Sequence, residues 1–135
     1  MSRAVFPGTF DPVTAGHLDV VDRARRLFDR LVVLVAVNGD KRPTQAGEAR
    51  AEAIRAALPS GWHNVRVVAW RGLTADYCLR HDAGVIVRGV RNAADARREQ
   101  ELAAMNDALG VPTLLLPTRP SLATVSSTAA RAMPA

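Results

Sequence analysis

The residues at positions 8–17, GTFDPVTAGH, combine glycines, hydroxyl groups and a histidine in a spacing that could bind phosphate. They follow a short apolar segment at 4–6, which predicts a strand, and they precede a segment with helical periodicity. The first turn of a helix presents unpaired N–H groups and the positive end of the helix dipole, so an anion is stabilised there. Gly8 and Gly16 would let backbone approach a ligand, and His17 would add a donor. Taken alone, His17 could equally be a capping or packing residue.

Two groups of basic residues could also bind phosphate. Lys41 is the chain's only lysine and lies in a polar loop, where a flexible ammonium could follow a phosphate through a reaction. Arg88 and Arg91 flank Gly89 at the end of the fourth apolar segment, and arginine forks bind phosphate oxygens through paired hydrogen bonds. On their own, the lysine could simply be solvated, and the arginines could form surface ion pairs.

Short apolar segments rich in β-branched residues alternate with segments of helical periodicity, which predicts an α/β fold. The predicted strands lie at 4–6, 31–37, 65–70, 84–87 and 113–116. Because strands joined through helices form parallel sheets, we expect a Rossmann-like open sheet of five parallel strands with helices on both faces. Ligands of such sheets bind beyond the carboxyl ends of the strands, which would bring Thr9, Lys41, Leu73 and Arg88 to one rim.

The helical periodicity also predicts which helix side chains are buried. They are Leu18, Val21, Ala24 and Phe28 in the first helix, Ala49, Ala53, Ala56 and Ala57 in the second, Ala75, Cys78 and Leu79 in the third, and Leu102, Met105 and Leu109 in the fourth. Glu48 and Arg50 are expected to cap and brace the second helix.

Length and composition predict one domain over residues 1–135. The sequence contains no long apolar run and no signal-peptide pattern, so we expect a cytoplasmic protein that does not bind a membrane.

Cys78 is the only cysteine, which excludes an internal disulfide and predicts a buried, apolar role. The net charge of +5 suits polyanion partners, but scattered arginines and 4% aromatic residues argue against nucleic acid.

The pattern TFDPxTxGH resembles the first signature of the bacterial phosphopantetheine adenylyltransferases, which belong to the nucleotidyltransferase superfamily with a T/HxGH motif. The RGxR pattern at 88–91 is similar to a second signature of that family. Residues 125–131, VSSTAAR, are similar to the superfamily's ISSTxxR pattern, although a Ser/Thr cluster alone would predict only a helix N-cap. The resemblance runs from residue 4 to about 131, and it implies that the C-terminal helical segment of the family is short or absent here. It implies transfer of AMP from ATP to 4′-phosphopantetheine, giving dephospho-coenzyme A and pyrophosphate.

The resemblance also implies roles for individual residues. His17, as transition-state stabiliser, Lys41 and Arg91 would be catalytic. The acceptor would be bound by Thr9, Lys41, Leu73, Thr74 and Arg88. ATP would be bound by Thr9, Phe10, His17, Gly89, Val90, Arg91, Glu99, Leu122, Ala123, Thr124, Val125, Ser126, Ser127, Thr128 and Arg131. The protein itself would hold no metal, and Mg²⁺ would bind through substrate phosphates. The family further implies a homo-oligomer, a hexamer.

Two departures from the family pattern leave other functions open. The segment before Glu99 lacks an aromatic and an acidic residue at Ala96–Arg98, and Leu122 stands where the family has an aromatic residue. One alternative is a related nucleotidyltransferase that uses CTP or another phosphorylated acceptor. The other is a non-catalytic, nucleotide-binding relative.

Overall fold

The computed structural model describes residues 2–37 and 46–119, in which strands and helices alternate throughout. The elements are β1 (Arg3–Gly8), α1 (Ala15–Arg25), β2 (Arg30–Val37), α2 (Gly47–Ala57), β3 (Val65–Arg71), α3 (Thr74–Arg80), β4 (Val85–Val90), α4 (Ala93–Ala108) and β5 (Thr113–Pro117). Each predicted strand has its counterpart, with small differences in bounds. The prediction of one domain over 1–135, with a C-terminal helical segment that is short or absent, stays a prediction, because the last residues of the chain lie outside the described ranges.

The five strands form one parallel sheet in the order β3-β2-β1-β4-β5. The chain builds outward from β1 to β3, then returns to the other side of β1 to add β4 and β5. This reversal leaves a crevice between the carboxyl ends of β1 and β4, where open α/β sheets bind their ligands. The predicted Rossmann-like parallel sheet is confirmed.

Helices cover both faces of the sheet, as predicted. Side chains of α1 and α2 pack with one set of strand residues, and those of α3 pack with the alternate set. On β4, Val87 lies on the α1 face, so the next residue, Arg88, points to the α3 face, where it reaches Glu99 of α4. Cys78 of α3 is fully buried, as expected, and burial raises the pKa of its thiol to about 11.

The buried faces predicted for α2 and α4 are wrong. In α2 the four predicted alanines are exposed, and the buried side chains are those of Arg50, Ala51 and Ile54. In α4, Leu102, Met105 and Leu109 are 43%, 48% and 42% exposed, whereas the buried side chains are the carboxylates of Asp95 and Glu99. Leu79 of α3 is exposed as well. Apolar periodicity fails in α2 and α4 because their inward faces carry charged groups that bind strand ends and loops near the crevice.

The fourth strand is longer at its carboxyl end than predicted. Arg88 and Gly89 lie inside β4, paired with Leu115 and Leu116 of β5, so they do not follow a strand. Gly84 precedes the strand instead of opening it. No helix in the described ranges is both long enough and apolar enough to span a bilayer.

Candidate active site between β1 and β4

The first turn of α1 fixes the position of His17. Thr14 is the N-cap of the helix, and its hydroxyl accepts a hydrogen bond from the backbone N–H of His17 at 3.3 Å. In return, the backbone N–H of Thr14 donates to Nδ1 of His17 at 3.0 Å. The pair is a capping box in which histidine stands where glutamate or glutamine is usual. The capping role that the sequence left open for His17 is therefore present.

This cap also decides which ring nitrogen of His17 carries the proton. A backbone N–H can only donate, so Nδ1 must be an acceptor and the proton of the neutral ring lies on Nε2. Burial holds the pKa of His17 below 6.5, and the positive charges of Arg88 and Arg91 lower it further. At neutral pH the site therefore holds a neutral imidazole with one N–H donor.

The lowered pKa of His17 predicts how stability depends on pH. Between the lowered pKa and 6.5, the unfolded chain binds a proton at this residue and the folded chain does not. The free energy of unfolding should therefore fall as pH drops below 6.5. Above pH 6.5 His17 is neutral in both states, so it should add no pH dependence there. Urea denaturation between pH 7.5 and 5 would measure it. A His17→Gln variant should lack this contribution of His17 to the pH dependence of unfolding. An identical pH slope in both proteins would contradict the lowered pKa of His17.

The loop between β1 and α1 is tightly packed. Phe10 is 4% exposed and has a backbone φ of 51°. Its ring meets the His17 ring edge-on at a centroid distance of 4.9 Å. A Cβ on Gly8 would lie 2.9 Å from the Phe10 ring, so this glycine makes room for the ring. The prediction that Gly8 lets backbone approach a ligand stays a prediction, and the structure adds that this glycine accommodates the Phe10 ring.

Arg50 of α2 supports this loop from within the protein. Its side chain is 1% exposed, and its Nη1 donates to the carbonyl oxygens of Thr9 at 2.5 Å and Ala36 at 3.3 Å. The start of α2 also lies against the end of β2, because a Cβ on Gly47 would clash with Val37. Arg50 therefore fixes the backbone of a predicted phosphate-binding residue. The sequence predicted only that it braces its own helix.

On the other side of the crevice, Arg88 is held by three acceptor oxygens. Its Nε and Nη2 donate to the two carboxylate oxygens of Glu99 at 2.7 and 2.8 Å. Its Nη1 donates to the carbonyl of Pro7 at 2.6 Å, which ties β4 to the end of β1. A guanidinium has further N–H donors on its terminal nitrogens, so Arg88 can also bind an anion.

Asp95 organises the start of α4 and was missed in the sequence. Asn92 is the N-cap and accepts a hydrogen bond from the N–H of Asp95 at 2.9 Å. The Asp95 carboxylate accepts a hydrogen bond from the N–H of Arg91 at 3.0 Å and pairs with Arg98 at 3.2 Å. The spacing Asn92-x-x-Asp95 is close to a capping-box pattern and could have predicted this role. Asp95 thereby holds the backbone of Arg91 at the end of β4.

These residues line a cavity of about 430 Å³, called here the β1/β4 cavity. The predicted site residues that line it are Thr9, Phe10, His17, Arg88, Gly89, Arg91 and Glu99. Thr118, which follows β5 and was not predicted, also lines it and donates to the carbonyl of Val90. A Cβ on Gly89 would lie 3.0 Å from Val20, so glycine allows α1 to pack closely on β4.

Other predicted site residues do not line the β1/β4 cavity. Val90 is part of β4, while Leu73 is the N-cap of α3 and is 52% exposed, and Thr74 begins that helix. The remaining predicted residues lie outside the described ranges: Lys41, Leu122, Ala123, Thr124, Val125, Ser126, Ser127, Thr128 and Arg131. The functional roles assigned to all these residues stay predictions.

Comparison with known proteins first identifies the class of protein. Solved structures with the same fold include a lipopolysaccharide core biosynthesis protein from Thermoplasma volcanium. Its TM-score is 0.59 at 22% identity, and the match covers 88% of this chain and 97% of that one. The NadR protein, solved in complex with NAD and AMP-PNP, has a TM-score of 0.58 at 18% identity, covering 96% and 41%. The Cytidylyltransferase-like family model matches residues 5–133, which places the chain among the nucleotidyltransferases.

Closer relatives narrow the class to one family. The phosphopantetheine adenylyltransferase of Bifidobacterium longum is 46% identical over 129 residues, covering 94% of this chain and 78% of the relative. That of Streptomyces coelicolor is 41% identical over 128 residues, covering 94% and 80%. The chain belongs to the phosphopantetheine adenylyltransferase family, as its sequence signatures predict.

Proposed function

We propose that this chain transfers the AMP group of ATP to 4′-phosphopantetheine, giving dephospho-coenzyme A and pyrophosphate. The observation that carries the proposal is the β1/β4 cavity of this chain, itself a member of the family. In that cavity an oriented imidazole and two arginines meet at the start of a helix. Each of these groups suits a phosphate oxygen, and together they suit two phosphorylated substrates.

In the proposed reaction, an oxygen of the acceptor phosphate attacks the α-phosphorus of ATP in line. The new P–O bond forms as the bond to the β-phosphate oxygen breaks, and pyrophosphate leaves with that electron pair. The acceptor phosphate is already ionised at neutral pH, so the step needs no general base and no covalent enzyme intermediate. The protein contributes positioning and charge stabilisation.

His17 would donate its Nε2 proton as a hydrogen bond to an α-phosphate oxygen while negative charge develops there. The Thr14 cap fixes this tautomer and the ring orientation before substrate arrives, so no reorganisation is needed during the reaction. Arg91, whose side chain is 61% exposed at the cavity, would bind the triphosphate together with the hydroxyl cluster at 126–128, while Lys41 would bind the acceptor phosphate.

Arg88 would bind the acceptor phosphate through its remaining donors. Glu99 and the Pro7 carbonyl hold the guanidinium in place, which lowers the entropy lost when the phosphate binds. In this arrangement Glu99 acts by orienting Arg88, since both of its carboxylate oxygens accept hydrogen bonds from that residue.

Mg²⁺ would be held through substrate phosphates instead of a protein cage. Asp95 and Glu99 are the buried carboxylates of the cavity, and both are already bound to arginine. No cluster of three or more metal-ligating side chains occurs in residues 2–37 and 46–119.

We further propose a cytoplasmic location and a homo-oligomer. The family resemblance implies that the oligomer is a hexamer. Analytical ultracentrifugation would test the oligomer.

Pyrophosphate release with ATP and 4′-phosphopantetheine tests the proposal, and mass spectrometry should find dephospho-coenzyme A in equal amount. The matched reactions replace ATP by CTP, or the acceptor by other phosphorylated compounds. Activity only with CTP or with another acceptor would identify a different nucleotidyltransferase. Binding of ATP with no pyrophosphate release from any acceptor would identify a non-catalytic relative.

A further inference from the structure

A second cavity, of about 590 Å³, lies at the amino ends of β1, β2 and β3. Arg3, Arg30 and Arg66 line it, so it is called here the arginine cavity. The β1/β4 cavity lies at the carboxyl ends of the strands. With about 3.3 Å of rise per residue and strands of six to eight residues, the sheet separates the two cavities by roughly 20 Å. The proposed reaction does not use the arginine cavity.

The three arginines project from one face of three neighbouring strands. Arg3 is paired directly with Arg30 in the parallel register of β1 and β2, and Arg66 is paired with Val32, two residues further along β2. Because side chains alternate along a strand, all three lie on the α3 face of the sheet. Like charges placed opposite one another destabilise a sheet, so the Arg3–Arg30 pair carries a cost that an anion between them would remove.

Few groups nearby neutralise these charges. None of the three arginines forms a salt bridge with any residue in the described part of the chain. Among the described residues that line the cavity, Asp29 is the one carboxylate, and it accepts a hydrogen bond from the N–H of Ser2 at 2.8 Å. The cavity therefore keeps an excess of positive charge even when its histidines are neutral.

Tyr77 adds a hydroxyl donor to this cavity. Its side chain is 6% exposed and lines the cavity, and its hydroxyl makes no hydrogen bond within residues 2–37 and 46–119. Burial raises its pKa above 10.0, so the hydroxyl remains protonated at neutral pH. The ring is held by stacking on His81 at 4.1 Å and by an edge contact with Trp70 at 5.1 Å. The ring is buried while its hydroxyl oxygen stays accessible from the cavity, so the hydroxyl is a fixed hydrogen-bonding group for a ligand.

We propose that the arginine cavity is a second anion site, which binds a phosphorylated small molecule with at least two negative charges. Arg3, Arg30 and Arg66 would supply paired hydrogen bonds to phosphate oxygens, and Tyr77 would donate one more. The cavity volume falls in the range of small-molecule sites, roughly 300–1,000 Å³.

Tyr77 is the chain's only tyrosine, so protein labelled with 3-fluorotyrosine gives one ¹⁹F resonance that reports on this cavity. Titration with inorganic pyrophosphate, while a non-hydrolysable ATP analogue saturates the β1/β4 cavity, should shift the resonance saturably. Arg66→Gln should weaken the apparent affinity on the order of tenfold, since one charge-assisted contact is lost. Arg97→Gln is the matched control, because Arg97 is exposed on α4 and does not line the cavity.

Two results would overturn the proposal. One is a ¹⁹F resonance that does not move with pyrophosphate, or that moves equally with sodium chloride of the same ionic strength. The other is equal affinity in Arg66→Gln and Arg97→Gln. In the first case, a shift that depends on protein concentration instead of pyrophosphate would identify this face as a contact between copies of the chain. None of these readouts depends on the proposed reaction.

Discussion

His17→Ala is expected to fold and to bind ATP, but to turn over on the order of 10²–10³ times more slowly than wild type. The lost group is one preorganised donor, and its effect is large because Thr14 holds the ring in a single tautomer beside the site where charge develops. Steady-state pyrophosphate release would show the loss in kcat, with a smaller change in KM. Near-normal turnover would contradict the role assigned to His17.

The capping role of His17 requires a control, because alanine also removes the acceptor for the Thr14 N–H. His17→Gln restores the usual capping box, in which glutamine at this position accepts that hydrogen bond. Its free energy of unfolding should be close to the wild-type value, while alanine should cost about 1 kcal/mol. If turnover recovers together with stability in His17→Gln, the histidine is a structural cap and not a catalytic group.

The sequence predicted the parts of the fold that depend on local pattern. The strands appear as short β-branched segments between helices, and their carboxyl ends bring Thr9 and His17 to one crevice with Arg88 and Arg91. The spacing of the TFDPxTxGH and RGxR signatures identified the same crevice without a structure. These predictions succeed because strand alternation and helix starts involve residues that are close in sequence.

The sequence could not predict contacts made between distant segments. Arg50 reaches the Thr9 carbonyl across 41 residues, and Arg88 reaches the Pro7 carbonyl across 81 residues. Both are charged residues that a hydrophobicity pattern assigns to the surface, so their burial depends on acceptors that only the tertiary fold supplies. The same cause explains the wrong face predicted for α4, where Glu99 is buried and Met105 is exposed.

Arg88→Ala is expected to lower both stability and acceptor binding. The Glu99 side chain is 7% exposed, so removing the guanidinium leaves a buried carboxylate without its partner and the Pro7 carbonyl without its donor. Breaking a buried ion pair in this way costs about 3–5 kcal/mol. The kcat/KM for the acceptor should fall by about 10²–10³, as for the loss of a charged contact worth several kcal/mol. Urea denaturation and pyrophosphate release at varied acceptor concentration measure the two effects.

The double variant Arg88→Ala with Glu99→Gln separates these two effects. A neutral amide is far less costly to bury than an unpaired carboxylate, so much of the lost free energy of unfolding should return. Acceptor binding should not return, because no guanidinium is left to hold the phosphate. Since Arg91, the residue that follows β4, remains in place, KM for ATP should change much less than KM for the acceptor. If the acceptor KM recovers along with stability, Arg88 only supports the fold, and the acceptor phosphate must be bound by other residues of the β1/β4 cavity.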